Sequence, residues 1–195
     1  MRLYIKNTPV QEKPGLMVYN EKGEKVYSAS VEHSVLGIKM DVFNVFSKRV
    51  SKIRQHTISL NKTYNITTRD KNIKFIFKAE EHGVSAFIKG VPLVFEGDIL
   101  KKTFSILDEK KDIIMTHKYN FKNYYELNIL RDNFELLGIC IALCVETLLF
   151  SDEKKTSKDM AFLINYIFGS NELRGSLQET FSTKMSKLNE LKNED

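Results

Sequence analysis

The side chains able to do chemistry are few and scattered. Four histidines, His33, His56, His82 and His117, sit among residues that read as strands and turns, with no HExxH or paired metal spacing. They read as ordinary surface or turn histidines. Cys140 and Cys144 are the two cysteines, one helical turn apart. That spacing is poor for a disulfide, and a zinc site would need two further ligands inside an apolar run. Reduced thiols serving as small packing residues are the expectation. No Gly-rich phosphate loop and no GxSxG nucleophile elbow occurs. Carboxylates gather at turn tips such as Asp108-Glu109. Glu146 stands apart in apolar sequence, where the expected role is to face a gap at the mouth of the fold or to pair with a Lys or Arg. These residues predict no catalytic site, no metal and no cofactor, hence a protein that is not an enzyme.

The best candidate for binding is basic. The stretch "SKRVSKIR" groups Lys48, Arg49, Lys52 and Arg54, and strand alternation puts Lys48, Lys52 and Arg54 on one face. Such a face suits lipid headgroup phosphates, each basic contact contributing about 1 kcal/mol. Nucleic acid is not expected, because the aromatic interleaving of a single-strand platform is missing there. The plain alternative is a solvated outer face. The whole chain, with 30 Lys+Arg against 25 Asp+Glu and a net charge of +5, leans only mildly toward anionic partners.

The elements that must position these residues are mostly strands. "GLMVYNEKGEKVYSASVE" reads as a hairpin turning at Asn20-Glu21-Lys22-Gly23, with Gly23 suited to positive φ. "NIKFIFKAEEHGVSAFIKG" is a second hairpin, in which Ile73, Phe75 and Phe77 alternate and Glu81-His82-Gly83 turns. Asp108-Glu109-Lys110-Lys111 tips a third. Turn signals at short intervals before Asp132 point to an antiparallel sandwich or barrel, and the lack of crossover helices excludes parallel α/β.

At Asp132 the character changes. "FELLGICIALCVETLLF" holds only Glu135, Glu146 and Thr147 as polar interruptions. Asp132-Asn133 suit an N-cap, and Glu135 suits the first turn. Seventeen helical residues span about 26 Å, short of the roughly 30 Å of a bilayer core. Glu135 and Glu146 align within about 20° on the helix, and the remaining circumference is apolar. Such a helix is buried on nearly every side, so it predicts a core helix and no transmembrane segment. The N-terminus lacks the apolar stretch of a secretory signal, so a cytoplasmic location is expected. After a polar break, Met160, Leu163, Ile164, Ile167 and Phe168 form an amphipathic stripe, followed by a weaker one from Leu173 to Leu188.

The order of these parts resembles the bacterial branch of the LURP-one-related family, in the Tubby C-terminal-like superfamily. The resemblance rests on Gly97-Asp98, then Phe104-Ser105-Ile106-Leu107-Asp108 before a hairpin tip. Tyr125, Leu127 and Ile129 follow, leading into the acidic-capped apolar helix. "VYNEKGEKVYSAS" and "VSKIRQHTISLNKTYNI" fit the family's turn-then-strand units. The sequence departs from the pattern near Val42–Ser47, which lacks an Asp-x-x-Gly turn, and after Ser151. The resemblance implies a closed antiparallel β-barrel of about twelve strands around a central hydrophobic helix. The expected organisation is therefore a barrel over residues 1–150 with its helix at 132–150, then a helical extension over 151–195. The expected role is a non-enzymatic binding module for anionic phospholipid at a membrane surface. The alternative is a scaffold that binds a protein partner or itself through residues 156–191.

Overall fold

The computed structural model describes residues 1–8, 15–34, 37–56, 62–80, 83–99, 101, 103–120 and 124–149. The turn expected at Glu81-His82 and the helices expected beyond residue 150 lie outside them. Twelve antiparallel strands follow one another: β1 (Arg2–Asn7), β2 (Gly15–Asn20), β3 (Lys25–Ser34), β4 (Gly37–Asn44), β5 (Arg49–His56), β6 (Lys62–Thr68), β7 (Asn72–Glu80), β8 (Gly83–Lys89), β9 (Leu93–Asp98), β10 (Thr103–Asp108), β11 (Ile113–Asn120) and β12 (Tyr124–Ile129). A 3-10 turn (Asp132–Phe134) then leads into α1 (Glu135–Leu149).

The strands form one sheet in the order β8-β7-β6-β5-β4-β3-β2-β1-β12-β11-β10-β9. It is a meander cut at one point. β1 pairs with β12, Leu3 opposite Leu127, while β8 and β9 are the two unpaired edges and are joined through Gly90-Val91-Pro92. The result is a nearly closed barrel. Alternation is regular: Leu3, Ile5, Ile53, Ile66, Ile73, Phe75, Phe77, Leu127 and Ile129 are buried, and the residues between them on each strand, such as Tyr4, Lys74, Ile76 and Asn128, are more exposed. These side chains share one core cluster with Leu137, Ile139, Ile141, Leu143, Val145 and Leu148 of α1.

Three hairpins use one turn. In the first, Asn20 Oδ1 accepts from the backbone N–H groups of Lys22 and Glu24, and Gly23 has φ 78°. At the β10–β11 tip, Asp108 Oδ1 accepts from Lys110 and Asp112, and Lys111 has φ 65°. Between β4 and β5, Asn44 Oδ1 accepts from Phe46 and Lys48, and Ser47 has φ 58°. The missing Asp-x-x-Gly near Val42–Ser47 therefore changes no geometry. Asn44 supplies the acceptor, and the five-residue hydrogen-bond pattern holds Ser47 in the left-handed region despite its Cβ.

Gly97 explains one motif of the sequence. It has φ 147° and lies opposite Phe104, and a Cβ there would collide with the Phe104 Cα and the Thr103 carbonyl. Only glycine permits that approach. The expected cap at Asp132-Asn133 is not made. The 3-10 turn that begins at Asp132 has no side-chain cap, and the α-helix starts at Glu135. Arg131, just before that turn, instead donates to Asp108 at 2.6 Å and Asp112 at 3.2 Å, tying the helix entry to the β10–β11 tip. Lys71 lies over the Phe134 ring, 5.3 Å from its centre.

Candidate functional site

Two constellations carry polar chemistry, one outside the sheet and one buried. The outer one contains the basic residues singled out in the sequence. Lys48 belongs to the β4–β5 turn; Arg49, Lys52 and Arg54 belong to β5. The register shifts at Val42/Phe43, so Arg49 stands opposite Phe43 and Ser51 opposite Val42, leaving Val50 as the extra residue. This bulge breaks the simple alternation, and Arg49 reaches the same carboxylate as Arg54. Asp41 takes Arg54 Nη2 at 3.3 Å and Arg49 Nη1 at 3.7 Å. Arg54 Nη1 also donates to the carbonyl oxygens of Met40 and Ile53. Lys48 and Lys52 are exposed and form no ion pair within 4.0 Å among the described residues. The four basic residues thus divide into an arginine pair held by Asp41 and two uncommitted lysines.

The pairing registers add cations that the sequence reading missed. Lys39 lies opposite Arg54, Arg54 opposite Asn65, Asn65 opposite Lys74, and Lys74 opposite Lys89. One cross-strand row over β4–β8 therefore holds four cations, flanked on β3 by Glu32 opposite Lys39. Strands lie about 4.8 Å apart, and like charges directly opposite one another oppose pairing. Two such pairs, Lys39/Arg54 and Lys74/Lys89, occupy this row. Lys39, Lys74 and Lys89 are solvent-exposed. The strand parity of Lys74 against Phe75 was readable from the sequence; the alignment of five strands was not.

The buried constellation answers where Glu146 finds a partner. His117 Nε2 lies 3.0 Å from Glu146 Oε1, and both side chains have 0% exposure. His117 is therefore a core residue of β11, not a surface or turn histidine, and it is a partner of Glu146. His33 and His56 are exposed. The His117 ring stacks between Phe104, 4.5 Å away and tilted by 14°, and Tyr125, 5.5 Å away and tilted by 19°. Phe95 stacks on Phe104, and Phe75 touches Phe95, so aromatic contact crosses from β9 to β7 past the unpaired edge of β8.

The thiols behave as packing groups. Cys140 and Cys144 are reduced and fully buried. Burial pushes the Cys140 thiol up to about 12, opposed by a hydrogen bond with Ser51, and pushes Cys144 well above its ordinary range. Thr147 Oγ1 donates back to the Leu143 and Cys144 carbonyls. At the other end of α1, Tyr27 hydrogen-bonds Glu135; burial first, then the neighbouring carboxylate, raises the phenol to about 12.

No family model matches the chain, and no curated protein matches it. Among solved structures, the X-ray structure of a protein from Arabidopsis thaliana is similar, with a TM-score of 0.48 and 10% identity over 75% of this chain and 91% of that one. The architecture itself is a mainly β protein, a nearly closed twelve-strand antiparallel barrel with one α-helix among the described residues. That helix is not long and apolar enough to cross a membrane.

Proposed function

We propose that this chain is a non-enzymatic binding module that docks on anionic phospholipid headgroups, as a peripheral protein on the cytoplasmic side of a membrane. The observation that carries this reading is the cross-strand row Lys39–Arg54–Asn65–Lys74–Lys89. Opposed cations cost pairing energy unless an anionic surface offsets them, and a bilayer supplies such a surface over several strands at once. Lys48 and Lys52 extend the charge toward one end of the barrel. The enzyme alternative draws no support from the His117–Glu146 pair, whose side chains have no exposure.

The architecture proposed with it is a Tubby-like barrel of the LURP-one-related type, with α1 running through its interior. Support comes from where the helix makes contact. Tyr27 of β3 meets Glu135, Ser51 of β5 meets Cys140, and His117 of β11 meets Glu146. β3 and β5 flank β4, whereas β11 lies on the far side of β1 and β12 from them, and residues 137–148 are all buried.

Flotation with liposomes tests the function. The wild type is expected to float with phosphatidylcholine–phosphatidylserine vesicles and not with phosphatidylcholine alone. Lys48→Glu/Lys52→Glu and Lys74→Gln/Lys89→Gln are each expected to weaken binding, about fivefold per cation removed at about 1 kcal/mol each. Equal flotation of all three proteins, or none by any, sinks the lipid reading.

A further inference from the structure

The three hairpins that share one turn differ at its two most projecting positions. Glu21-Lys22 and Glu109-Lys110 occupy them in the first and third; Val45-Phe46 occupies them in the second. Phe46 is 85% exposed and Val45 48% exposed. Isolated apolar side chains on a surface are ordinary. Here, however, two adjacent ones stand at the tip of a turn pinned by Asn44, where the same geometry elsewhere carries a charged pair. Asn44 further accepts the Ser47 N–H at 3.0 Å and donates its own N–H to the Lys48 carbonyl at 3.0 Å. The tip is a stiff post rather than a loose loop. Lys48 and Arg49 follow it at once, and Lys52 lies farther down the same strand.

We infer that the Val45-Phe46 tip is a membrane wedge, which enters the interfacial layer of an anionic bilayer while Lys48 and Lys52 rest on headgroup phosphates. This rests on the proposed headgroup binding and specifies its mode. Aromatic side chains favour the headgroup level of a bilayer, and apolar burial there adds to the attraction of the cations behind it. Charge and shape both favour lipid over protein. A convex post of two apolar residues backed by cations matches a soft anionic layer. It offers little of the roughly 800 Å² per partner that a stable protein interface buries.

The chain contains no tryptophan, so Phe46→Trp places a sole indole at the tip of the full-length protein. On phosphatidylcholine–phosphatidylserine vesicles its emission is expected to shift to the blue and to be quenched by bilayer-brominated lipid. Inorganic phosphate, which supplies the anion without a bilayer, is expected to leave it unchanged. Val45→Glu/Phe46→Lys installs the residues that the same turn carries elsewhere, so the hairpin is expected to keep its fold by circular dichroism. Its vesicle partitioning is expected to fall by about tenfold or more. Flotation of the Phe46→Trp protein with an unshifted, unquenched indole overturns the wedge and leaves headgroup binding standing. A shift caused by inorganic phosphate alone, or partitioning unaffected by Val45→Glu/Phe46→Lys, also overturns it, the latter being the outcome for a tip that docks on protein. No flotation of wild type or variant removes the headgroup reading and the wedge with it.

Discussion

Breaking the His117–Glu146 pair from one side should cost far more than replacing it whole. Both side chains are fully buried 3.0 Å apart, so removing one deprives a desolvated polar group of this partner, at about 3–5 kcal/mol. His117→Phe is the cleaner half of the experiment, because a phenyl ring can stay stacked between Phe104 and Tyr125 while the contact with Glu146 is lost. Glu146→Met removes the other half at similar volume. Each single variant is expected to lower the unfolding free energy by about 3–5 kcal/mol, read as a melting temperature roughly 6–20 °C lower for a chain of this size. The double variant His117→Phe/Glu146→Met fills the space with apolar atoms. It is expected near wild-type stability or up to about 4 kcal/mol above it. Urea unfolding followed by circular dichroism, with unchanged m values, measures all four corners of the cycle. A single variant within about 1 kcal/mol of wild type would mean that the pair is not desolvated as described. A double variant as unstable as the worse single one would refute the coupling.

Other outcomes follow from the same geometry. Gly97→Ala meets backbone atoms of Phe104 and Thr103 and a φ that a Cβ disfavours, so it is expected to lose on the order of 3 kcal/mol in urea unfolding; a loss under about 0.5 kcal/mol would contradict the close approach. Asn44→Ala removes the acceptor for the Phe46 and Lys48 N–H groups and is expected to cost about 1 kcal/mol, with Asn44→Asp recovering most of it in the same assay. The Tyr27 phenol, raised from 10.0, and the Cys140 thiol, raised from 9.0, both ionise near 12 in the folded protein. Each is favoured in its neutral form by folding, so its contribution is fully present below the unfolded value and is lost as pH rises toward 12. The urea midpoint should therefore fall between pH 9.0 and about 12, and Tyr27→Phe should shallow the upper part of that fall; a flat midpoint refutes the assignment.

Much of the strand architecture was legible because it is written locally. Asn20 and Gly23 announce their turn, Ile73, Phe75 and Phe77 announce a buried face by parity, and the apolar helix announces itself by length. The turn at Asn44 was harder, since Ser47 in the left-handed region is an exception to residue preference that only the hydrogen bonds to Asn44 explain. His117 shares parity with Met115 and Tyr119 along β11, a signal for a buried face that its polarity masked. Its pairing with Glu146 depends on how the helix packs against distant strands, which no local pattern encodes. The basic face was half legible. Lys48, Arg49, Lys52 and Arg54 are neighbours in sequence, but the bulge at Val50 and the five-strand alignment that brings in Lys39, Lys74 and Lys89 come from register alone.

The pairing of β1 with β12 also sets how the protein reaches its fold. The described neighbours in the sheet are otherwise consecutive in sequence, so their ladders close short loops, whereas this one joins segments separated by almost the whole barrel; the Met1 amine meets the Ile129 carbonyl across 128 positions. Closing a long loop costs entropy that grows with the logarithm of its length, and non-local pairings place all-β domains among the slower folders, at roughly milliseconds to seconds. On a ribosome the ladder cannot form before β12 has emerged, although the hairpins from β1 to β8 already have their partners. The β1–β12 ladder is thus the late, rate-setting event, and until it forms the strand edges of β1 and β12 are those most open to mispairing with other chains.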